Sequence, residues 1–153
     1  MLIVGIAGGT GAGKSTVVRK IMERLPKNQV AVIPQDNYYK DKSHLTLEER
    51  RQLNFDHPDS IEFSLLIQQL QQLKDGQEIG VPIYSYLTCQ RSAESIQIKP
   101  KKVIIVEGIL IMSQPALRKC LDIKVFVDAD ADDRLLRCIN RDLLERGRNM
   151  REV

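Results

Sequence analysis

GGTGAGKS, from Gly8 to Ser15, is the stretch that decides the fold of this chain, because its spacing is G-x-x-x-x-G-K-S. A loop of this kind turns backbone N–H groups onto phosphate oxygens at the positive end of a helix, and glycine permits the tight turns that this requires. An apolar run from Leu2 to Ala7 precedes the stretch, and apolar residues at helical spacing follow it from Lys14 to Leu25. The order strand, loop, helix predicts a phosphate-binding loop rather than an ordinary glycine-rich turn.

The loop and the first turn of its helix supply the predicted nucleotide-binding residues. These are Gly8, Gly9, Thr10, Gly11, Ala12, Gly13, Lys14, Ser15 and Thr16. Lys14 is expected to reach the β- and γ-phosphates, and the Ser15 hydroxyl is expected to ligate Mg²⁺. Several classes of protein share such a loop, so the rest of the chain has to indicate what the nucleotide is used for.

Length and composition are those of one globular domain. The chain has 153 residues, of which 42% are hydrophobic and 28% charged. No apolar run approaches the roughly 18 residues that span a membrane, and the N-terminal run lacks a basic leader, so we expect a cytoplasmic protein without a membrane partner. The net charge of +3 is too small to indicate nucleic acid by itself. The odd number and the spacing of the cysteines, Cys89, Cys120 and Cys138, favour reduced thiols.

A carboxylate follows the second predicted strand, which runs from Val30 to Ile33 and stops at Pro34. Residues just past the carboxyl end of a parallel strand line the ligand crevice of an α/β sheet. Asp36 is therefore predicted where a phosphoryl acceptor arrives, and it could take the proton of the acceptor hydroxyl. The alternative role for Asp36 is that of an Asx-turn residue.

Asn54 to Asp59 reads N-F-D-H-P-D, and a helix is expected from about Ser60 to Asp75. Asp56 could accept two hydrogen bonds from adjacent sugar hydroxyls, and Phe55 offers a flat apolar surface for a base. His57 in such a turn is more often structural than catalytic. Asp56 is therefore the better candidate.

Two short extended pieces between Ile79 and Ile98 predict a small antiparallel flap, inserted at about residues 79–100. The flap would bring Tyr84 and Tyr86 towards the crevice, although both could equally fill an interface. Val103 to Gly108 then reads as a central strand that ends in an acid. Glu107 stands in the Walker B position, where it would hold Mg²⁺ directly or through a water.

Ile123 to Val127 is predicted to be a fourth buried strand, and a helix is expected from about Ala131 to Arg146. Arg134, Arg137 and Arg141 fall at i, i+3 and i+7, so they share one face of that helix. Such a stripe is commonly a solvated face. Near a triphosphate it would instead be a lid, at about residues 131–153, whose guanidinium groups neutralise the transferring phosphate.

Several stretches together resemble one family, the uridine–cytidine kinases. They are the phosphate loop, Q-D-N-Y-Y at Asp36, N-F-D-H-P-D at Asp56, P-I-Y-S-Y at Tyr84, V-E-G-I-L at Glu107, and F-V-D-A-D-A-D with R-D-L-L-E-R-G-R between Phe126 and Arg148. The resemblance runs in register over nearly the whole chain. It implies an α/β fold of the P-loop NTPase type, a parallel sheet flanked by helices with a small antiparallel flap, formed by a single domain of residues 1–153. It also implies transfer of the γ-phosphate of ATP or GTP, with Mg²⁺, to the 5′-hydroxyl of uridine or cytidine.

The same resemblance implies a role for each candidate residue. Asp36 falls on the general base and Asp56 on the carboxylate that grips the ribose hydroxyls, while Lys14 and Arg141 of the lid belong to the catalytic set. The remaining nucleoside-binding positions are Tyr39, Phe55, Tyr84, Tyr86 and Arg148, and the magnesium side is Ser15 and Glu107. The expected partners are a pyrimidine nucleoside and further copies of the chain, as a homo-oligomer and by resemblance a tetramer, with no nucleic acid.

Some positions depart from the family pattern. Cys89 stands where many members carry a base-contacting histidine, Cys138 where many carry a substrate-binding arginine, and Ser85 where an aspartate is common. These departures leave the nucleobase preference open. Family members also continue past the position of Val153 with the rest of the lid, a last strand and a final helix, so those parts are expected to be missing.

Two alternatives to a uridine–cytidine kinase stay open at this point. A kinase of the same broad group, such as a phosphoribulokinase-like or pantothenate kinase-like enzyme, shares the loop and the fold. A catalytically impaired module that only binds nucleotide is the other alternative, because of the expected missing C-terminal part. The aromatic residues in N-F-D-H-P-D and Y-S-Y favour a nucleoside acceptor.

Overall fold

The computed structural model describes residues 1–145, and it describes Glu145, the last of them, by its backbone alone. The strands are β1 (Leu2–Gly8), β2 (Val30–Pro34), β3 (Ile79–Ser85), β4 (Gln90–Ile98), β5 (Val103–Gly108) and β6 (Ile123–Val127). The helices are α1 (Lys14–Arg24), α2 (Leu47–Arg51), α3 (Phe63–Lys74), α4 (Pro115–Cys120) and α5 (Ala131–Glu145), with 3₁₀ turns at Gln35–Tyr38 and Pro58–Ser60. No helix among residues 1–145 combines the length and the hydropathy needed to cross a membrane.

Within residues 1–145 the main sheet has four parallel strands in the order β2-β5-β1-β6. Its register brings the carboxyl ends of three strands to one edge, since Ala7 pairs with Gly108 and Pro34 pairs with Glu107. The segments that leave β1, β2 and β5 therefore start side by side. This arrangement confirms the predicted parallel α/β fold and explains how residues far apart in sequence reach one site.

The central strand β5 is buried on both faces, as parallel strands flanked by helices are. Ile104 belongs to the core cluster formed with α3, through Leu66 and Leu70, and all three side chains are fully buried. Ile105 belongs to a second cluster, with Val18 of α1. Successive strand residues point to opposite faces, so one apolar run serves both cores.

The predicted flap is present as the antiparallel pair β3 and β4. Its base is fixed in the core by Ile79, Val81 and Ile98, and the Gln69 side chain of α3 donates to the Gly80 carbonyl at 2.9 Å. The register shifts between Pro82 and Tyr84, so the tip of the flap follows an irregular course. The hairpin is therefore anchored at one end and projects its other end towards the sheet edge.

Two details of the sequence prediction were wrong. β6 is the edge strand in the described part of the chain and is half exposed, with Ile123 at 46% and Phe126 at 68% of full exposure. An apolar run does not distinguish a central strand from an edge strand, since both have the same local composition. The helix expected from Ser60 begins at Phe63, because Pro58 starts a separate 3₁₀ turn.

Candidate active site

A cleft of about 670 Å³ lies at the carboxyl edge of the sheet, and most of the predicted site residues within residues 1–145 line it. The glycines of the phosphate loop and Ala12 are not among its lining residues. Outside that loop group there is one exception. Those that line it are Thr10, Lys14, Ser15, Asp36, Tyr39, Phe55, Asp56, Tyr84, Tyr86, Glu107 and Arg141. The exception is Thr16, which is exposed on α1 and does not line the cleft. Arg148 lies outside the described residues, so its predicted contact with the nucleoside stays a prediction.

The phosphate loop uses glycine where the backbone requires it. Gly11 and Gly13 have φ angles of +76° and +94°, in the left-handed region that side chains disfavour. The Lys14 ammonium lies against the loop and donates to the carbonyls of Gly8 at 2.9 Å and Gly9 at 3.1 Å. Lys14 is thus held at the loop, beside the position that the phosphates would take.

Helix α5 lies over the loop and presents its arginine stripe to it. Arg134 donates from Nε to the Thr10 carbonyl at 3.0 Å, and Arg137 donates from Nη1 to the Gly11 carbonyl at 3.3 Å. A Cβ on Gly9 would lie 2.4 Å from the Arg134 guanidinium carbon. The stripe is therefore packed on the loop, as a lid would be, instead of forming a purely solvated face.

Arg141, one helical turn further along α5, lines the cleft itself. Its guanidinium pairs with the buried carboxylate of Asp142 at 2.8 Å. Sequence analysis did not single out Asp142, which is 4% exposed and also lines the cleft. A carboxylate next to an arginine on a charged helix gave no signal that it would be buried.

Asp36 and Glu107 face the Lys14 ammonium from two neighbouring strands. Burial raises the pKa of Glu107, the negative charge of Asp36 raises it further, and Lys14 lowers it. Burial also lowers the pKa of Lys14, against the opposing effects of Glu107 and Asp36. Two carboxylates and one ammonium thus share a partly buried place where a divalent cation and phosphates would balance the charge.

The two acidic segments are tied together by Gln35, which sequence analysis also missed. The Gln35 side chain is fully buried, and its Oε1 accepts from the Leu110 backbone N–H at 2.8 Å. Gly108 makes room for it, since a Cβ there would lie 2.4 Å from the Gln35 Cβ. The segment that carries Asp36 is therefore fixed to the one that carries Glu107.

Ser15 and Glu107 are the candidate ligands for Mg²⁺, and their chemistry fits this ion. Mg²⁺ prefers oxygen ligands and is commonly held by one or two protein groups together with phosphates and waters. Residues 1–145 contain no cluster of three or more acidic, histidine or cysteine side chains able to hold a metal by themselves.

An aromatic wall forms the other side of the cleft, and we use this name for Tyr39, Phe55, Tyr84 and Tyr86. The ring of Tyr39 lies 5.1 Å from that of Phe55 and 4.9 Å from that of Tyr84. Tyr86 extends the wall, with its ring 5.5 Å from that of Tyr84. Burial raises the pKa of Tyr39, so this phenol stays neutral. The rings of the wall are tilted or edge-on to one another, and they line the same cleft as Asp56.

The stretch that carries Asp56 forms a turn with local hydrogen bonds. The Asn54 side chain accepts from the Asp56 backbone N–H at 3.0 Å, and both residues line the cleft. His57 accepts from the Asp59 N–H at 3.2 Å through Nδ1 and lies outside the cleft. It is a turn residue, as expected. Cys89 and Cys138 also line the cleft, at the flap and at α5 respectively.

Fold and site together define a P-loop protein of the kinase type, in which a glycine-rich loop and acidic strand ends share one edge of a parallel sheet. A sequence profile of the "Phosphoribulokinase / Uridine kinase family" matches residues 3–153. The chain belongs to this family, which is a family of kinases.

Individual relatives and solved structures agree with this assignment. A uridine kinase of Staphylococcus carnosus is 51% identical over 151 residues, which cover 99% of this chain and 73% of that protein. A uridine kinase of Staphylococcus haemolyticus is 50% identical over the same shares. This chain spans about three quarters of the length of either relative.

Two solved structures show the fold alone, because their sequence identity is low. A candidate fructose transport system kinase of Silicibacter sp. TM1040 superposes with a TM-score of 0.75 at 24% identity, over 97% of this chain and 74% of that one. A possible uridine kinase of Bacillus stearothermophilus gives a TM-score of 0.64 at 19% identity, over 95% of this chain and 83% of that one. Both superpositions confirm the predicted fold class.

Replacing Gly11 by alanine should destabilise the nucleotide-free chain more than replacing Gly13. Both residues have positive φ, and alanine in that region costs roughly 1–2 kcal/mol. At Gly11 the new Cβ would also lie 2.5 Å from the Arg134 carbonyl, whereas nothing lies within 4 Å of a Cβ at Gly13. Urea unfolding of both variants measures the difference, and equal losses would show that α5 does not pack on the loop.

Replacing Glu107 by glutamine should stabilise the chain without nucleotide or metal. An acid whose pKa is higher in the folded than in the unfolded chain lowers stability once it ionises, above its usual value of 4.5. Thermal unfolding in EDTA should therefore give a higher Tm for Glu107→Gln at neutral pH, with the gain shrinking as the pH falls towards that value. The exposed Glu23, paired with Arg19 on the surface, provides the control, and Glu23→Gln should change Tm little. A lower Tm for Glu107→Gln would contradict the analysis.

Proposed function

We propose that this chain is a uridine/cytidine kinase, which transfers the γ-phosphate of ATP or GTP to the 5′-hydroxyl of uridine or cytidine and forms UMP or CMP in cytoplasmic pyrimidine salvage. The observation that carries the proposal is the single cleft in which a phosphate loop and an aromatic wall face each other, with Asp36 at the same edge. The uridine kinases that are half identical over nearly the whole chain support the same acceptor.

The donor side is the phosphate loop with Lys14. The loop N–H groups at the start of α1 would bind the phosphates, and Lys14 would move from the Gly8 and Gly9 carbonyls onto phosphate oxygens. Ser15 and Glu107 would hold Mg²⁺, which when bound neutralises charge on the β- and γ-phosphates. Arg141 lies where a guanidinium could bind the transferring phosphoryl group.

The acceptor side is the aromatic wall with Asp56. A nucleobase has a large flat face that could stack on one aromatic ring or meet the edge of another, and Phe55, Tyr84 and Tyr86, which are edge-on to one another, offer both kinds of surface. The Asp56 carboxylate would accept hydrogen bonds from the ribose hydroxyls. Tyr39 supports Phe55 and Tyr84 from the buried side of the wall, since it is 6% exposed and contacts both rings.

Asp36 lies between the two sides and is the proposed general base. Its carboxylate would take the proton of the 5′-hydroxyl while that oxygen bonds to the γ-phosphorus. The bond from the γ-phosphorus to the β–γ bridging oxygen breaks, and the nucleoside diphosphate leaves. Catalysis of this kind depends on positioning and on charge stabilisation. The assembly of the active protein as a homo-oligomer, and as a tetramer, is part of the proposal and rests on the family resemblance.

Turnover with a panel of acceptors tests the function. We expect ADP release with uridine or cytidine in the presence of Mg²⁺ and ATP, and none above background with ribulose 5-phosphate or pantothenate. A coupled ADP-release assay measures all four, with GTP as the second donor and EDTA as the metal-free control. Turnover of ribulose 5-phosphate or pantothenate instead would assign another kinase activity. Nucleotide binding without turnover of any acceptor would leave a binding module.

Replacing Asp36 by asparagine tests the base. Loss of a general base lowers turnover by about 10² or more, because the amide cannot accept the proton. Nucleotide binding should survive, since the phosphate loop is untouched, and titration with a fluorescent ATP analogue measures it. If Asp36→Asn kept wild-type turnover, Asp36 could not be the base.

A further inference from the structure

The tip of the flap reaches the proposed base through one phenol. Tyr86 follows β3 directly, and its hydroxyl donates to Oδ2 of Asp36 at 2.5 Å. The two residues are 50 positions apart in sequence and follow strands of different sheets, β3 and β2, so this contact joins the flap to the carboxyl edge of the main sheet. No step of the mechanism above uses this hydroxyl.

Contacts within the flap, and between the flap and α3, fix the backbone around Tyr86. Ser85, the residue before it, pairs with Gln90 across the hairpin, and the Ser85 hydroxyl accepts from the Thr88 N–H at 3.3 Å within the turn. Further back, Arg91 of β4 donates to the Glu62 carboxylate at 2.7 Å, which ties the hairpin to the start of α3. The phenol is thus presented by an anchored hairpin rather than by a loose loop.

The Asp36 carboxylate depends on this phenol for its orientation. Within residues 1–145 the Asp36 side chain makes no other hydrogen bond, and the terminal torsion of an aspartate is broadly distributed. The Asp36 carboxylate also interacts electrostatically with the positive charge of Lys14 at the phosphate loop. The Tyr86 hydroxyl holds Oδ2 on the flap side and leaves Oδ1 for an acceptor.

We propose that Tyr86 is a positioning residue for the phosphoryl transfer: its hydroxyl fixes the Asp36 carboxylate so that Oδ1 faces the 5′-hydroxyl of the acceptor. This inference rests on the proposed role of Asp36 as the base. It gives the Tyr86 hydroxyl a function separate from that of its ring, which belongs to the aromatic wall. Tyr86 keeps its own proton throughout, and no bond to it forms or breaks.

Tyr86→Phe separates the two functions of the side chain, because it removes the hydroxyl and keeps the ring. We expect kcat to fall by about 10-fold or more, since small errors in the placement of a catalytic group cost that much. KM for the nucleoside and for ATP should stay within about 2-fold, because the ring surface is unchanged. Tyr86 is 37% exposed, so the variant is expected to fold, and circular dichroism checks this.

Tyr38→Phe is the matched control. Tyr38 also loses a phenol hydrogen bond, to Gln69 at 2.6 Å, but it is fully buried and does not line the cleft. Tyr38→Phe should lower Tm and leave kcat unchanged. A kcat loss of similar size in both variants would show a general structural effect and overturn the proposal.

A double-mutant cycle with Asp36→Asn gives the decisive test. If Tyr86 acts through Asp36, adding Tyr86→Phe to Asp36→Asn should lower the remaining kcat by less than about 2-fold. Multiplying losses would overturn the proposal, as would an unchanged kcat in Tyr86→Phe. A rise in nucleoside KM without a fall in kcat would assign the hydroxyl to substrate binding instead.

Wild-type turnover of uridine or cytidine is measured first in the same assay. Its absence overturns the proposed function and the role of Tyr86 with it. Turnover by the wild type together with any of the contrary results for Tyr86→Phe overturns only the role of Tyr86.

Discussion

The site depends on one electrostatic constraint: the Lys14 ammonium interacts with the carboxylates of both Asp36 and Glu107, and the three partly buried groups line one cleft. Burial alone disfavours both charge signs, and it lowers the pKa of Lys14 while it raises that of Glu107. The two carboxylates oppose the effect of burial on Lys14, and Lys14 opposes it on Glu107, whereas Asp36 adds to it on Glu107. The parallel sheet supplies the rigidity, since β1, β2 and β5 end at the same edge in fixed register. If the strands paired in another register, these side chains would be separated and the buried charges would lose their partners.

A second constraint is the close approach of α5 to the phosphate loop. The guanidinium of Arg134 occupies the space that a side chain at residue 9 would need, and the Arg134 carbonyl occupies the space at residue 11. Glycine in this loop therefore serves two purposes, the turn itself and the contact with α5. The contact also directs the loop carbonyls to the arginines, through the bonds to Thr10 and Gly11.

Most of the fold and of the donor side could be predicted from sequence. Both follow from the local residue pattern and from the rule that residues past the carboxyl ends of parallel strands line the ligand crevice. Apolar runs that end in Asp36 or Glu107 are enough to place these acids at the edge where Lys14 begins α1. Other features depend on which surfaces meet, which local pattern does not contain. The exposure of Phe126, the burial of Gln35 and the bond from Tyr86 to Asp36 belong to this group. The arginine stripe is intermediate, since its spacing predicted a shared face but not the surface on which it packs.

Two of the departures from the family pattern, Cys89 and Cys138, line the cleft, whereas Ser85 does not. Cys89 lies at the flap, where its backbone takes a φ of +51°, and its thiol is 3.5 Å from the Tyr86 carbonyl. Cys138 lies on α5, with its sulfur 3.0 Å from where a Cβ on Gly11 would be. Neither thiol replaces a group at the junction of Lys14, Asp36 and Glu107. Under the proposed function the transfer takes place at that junction, so a change of acceptor preference at these positions is compatible with unchanged transfer chemistry.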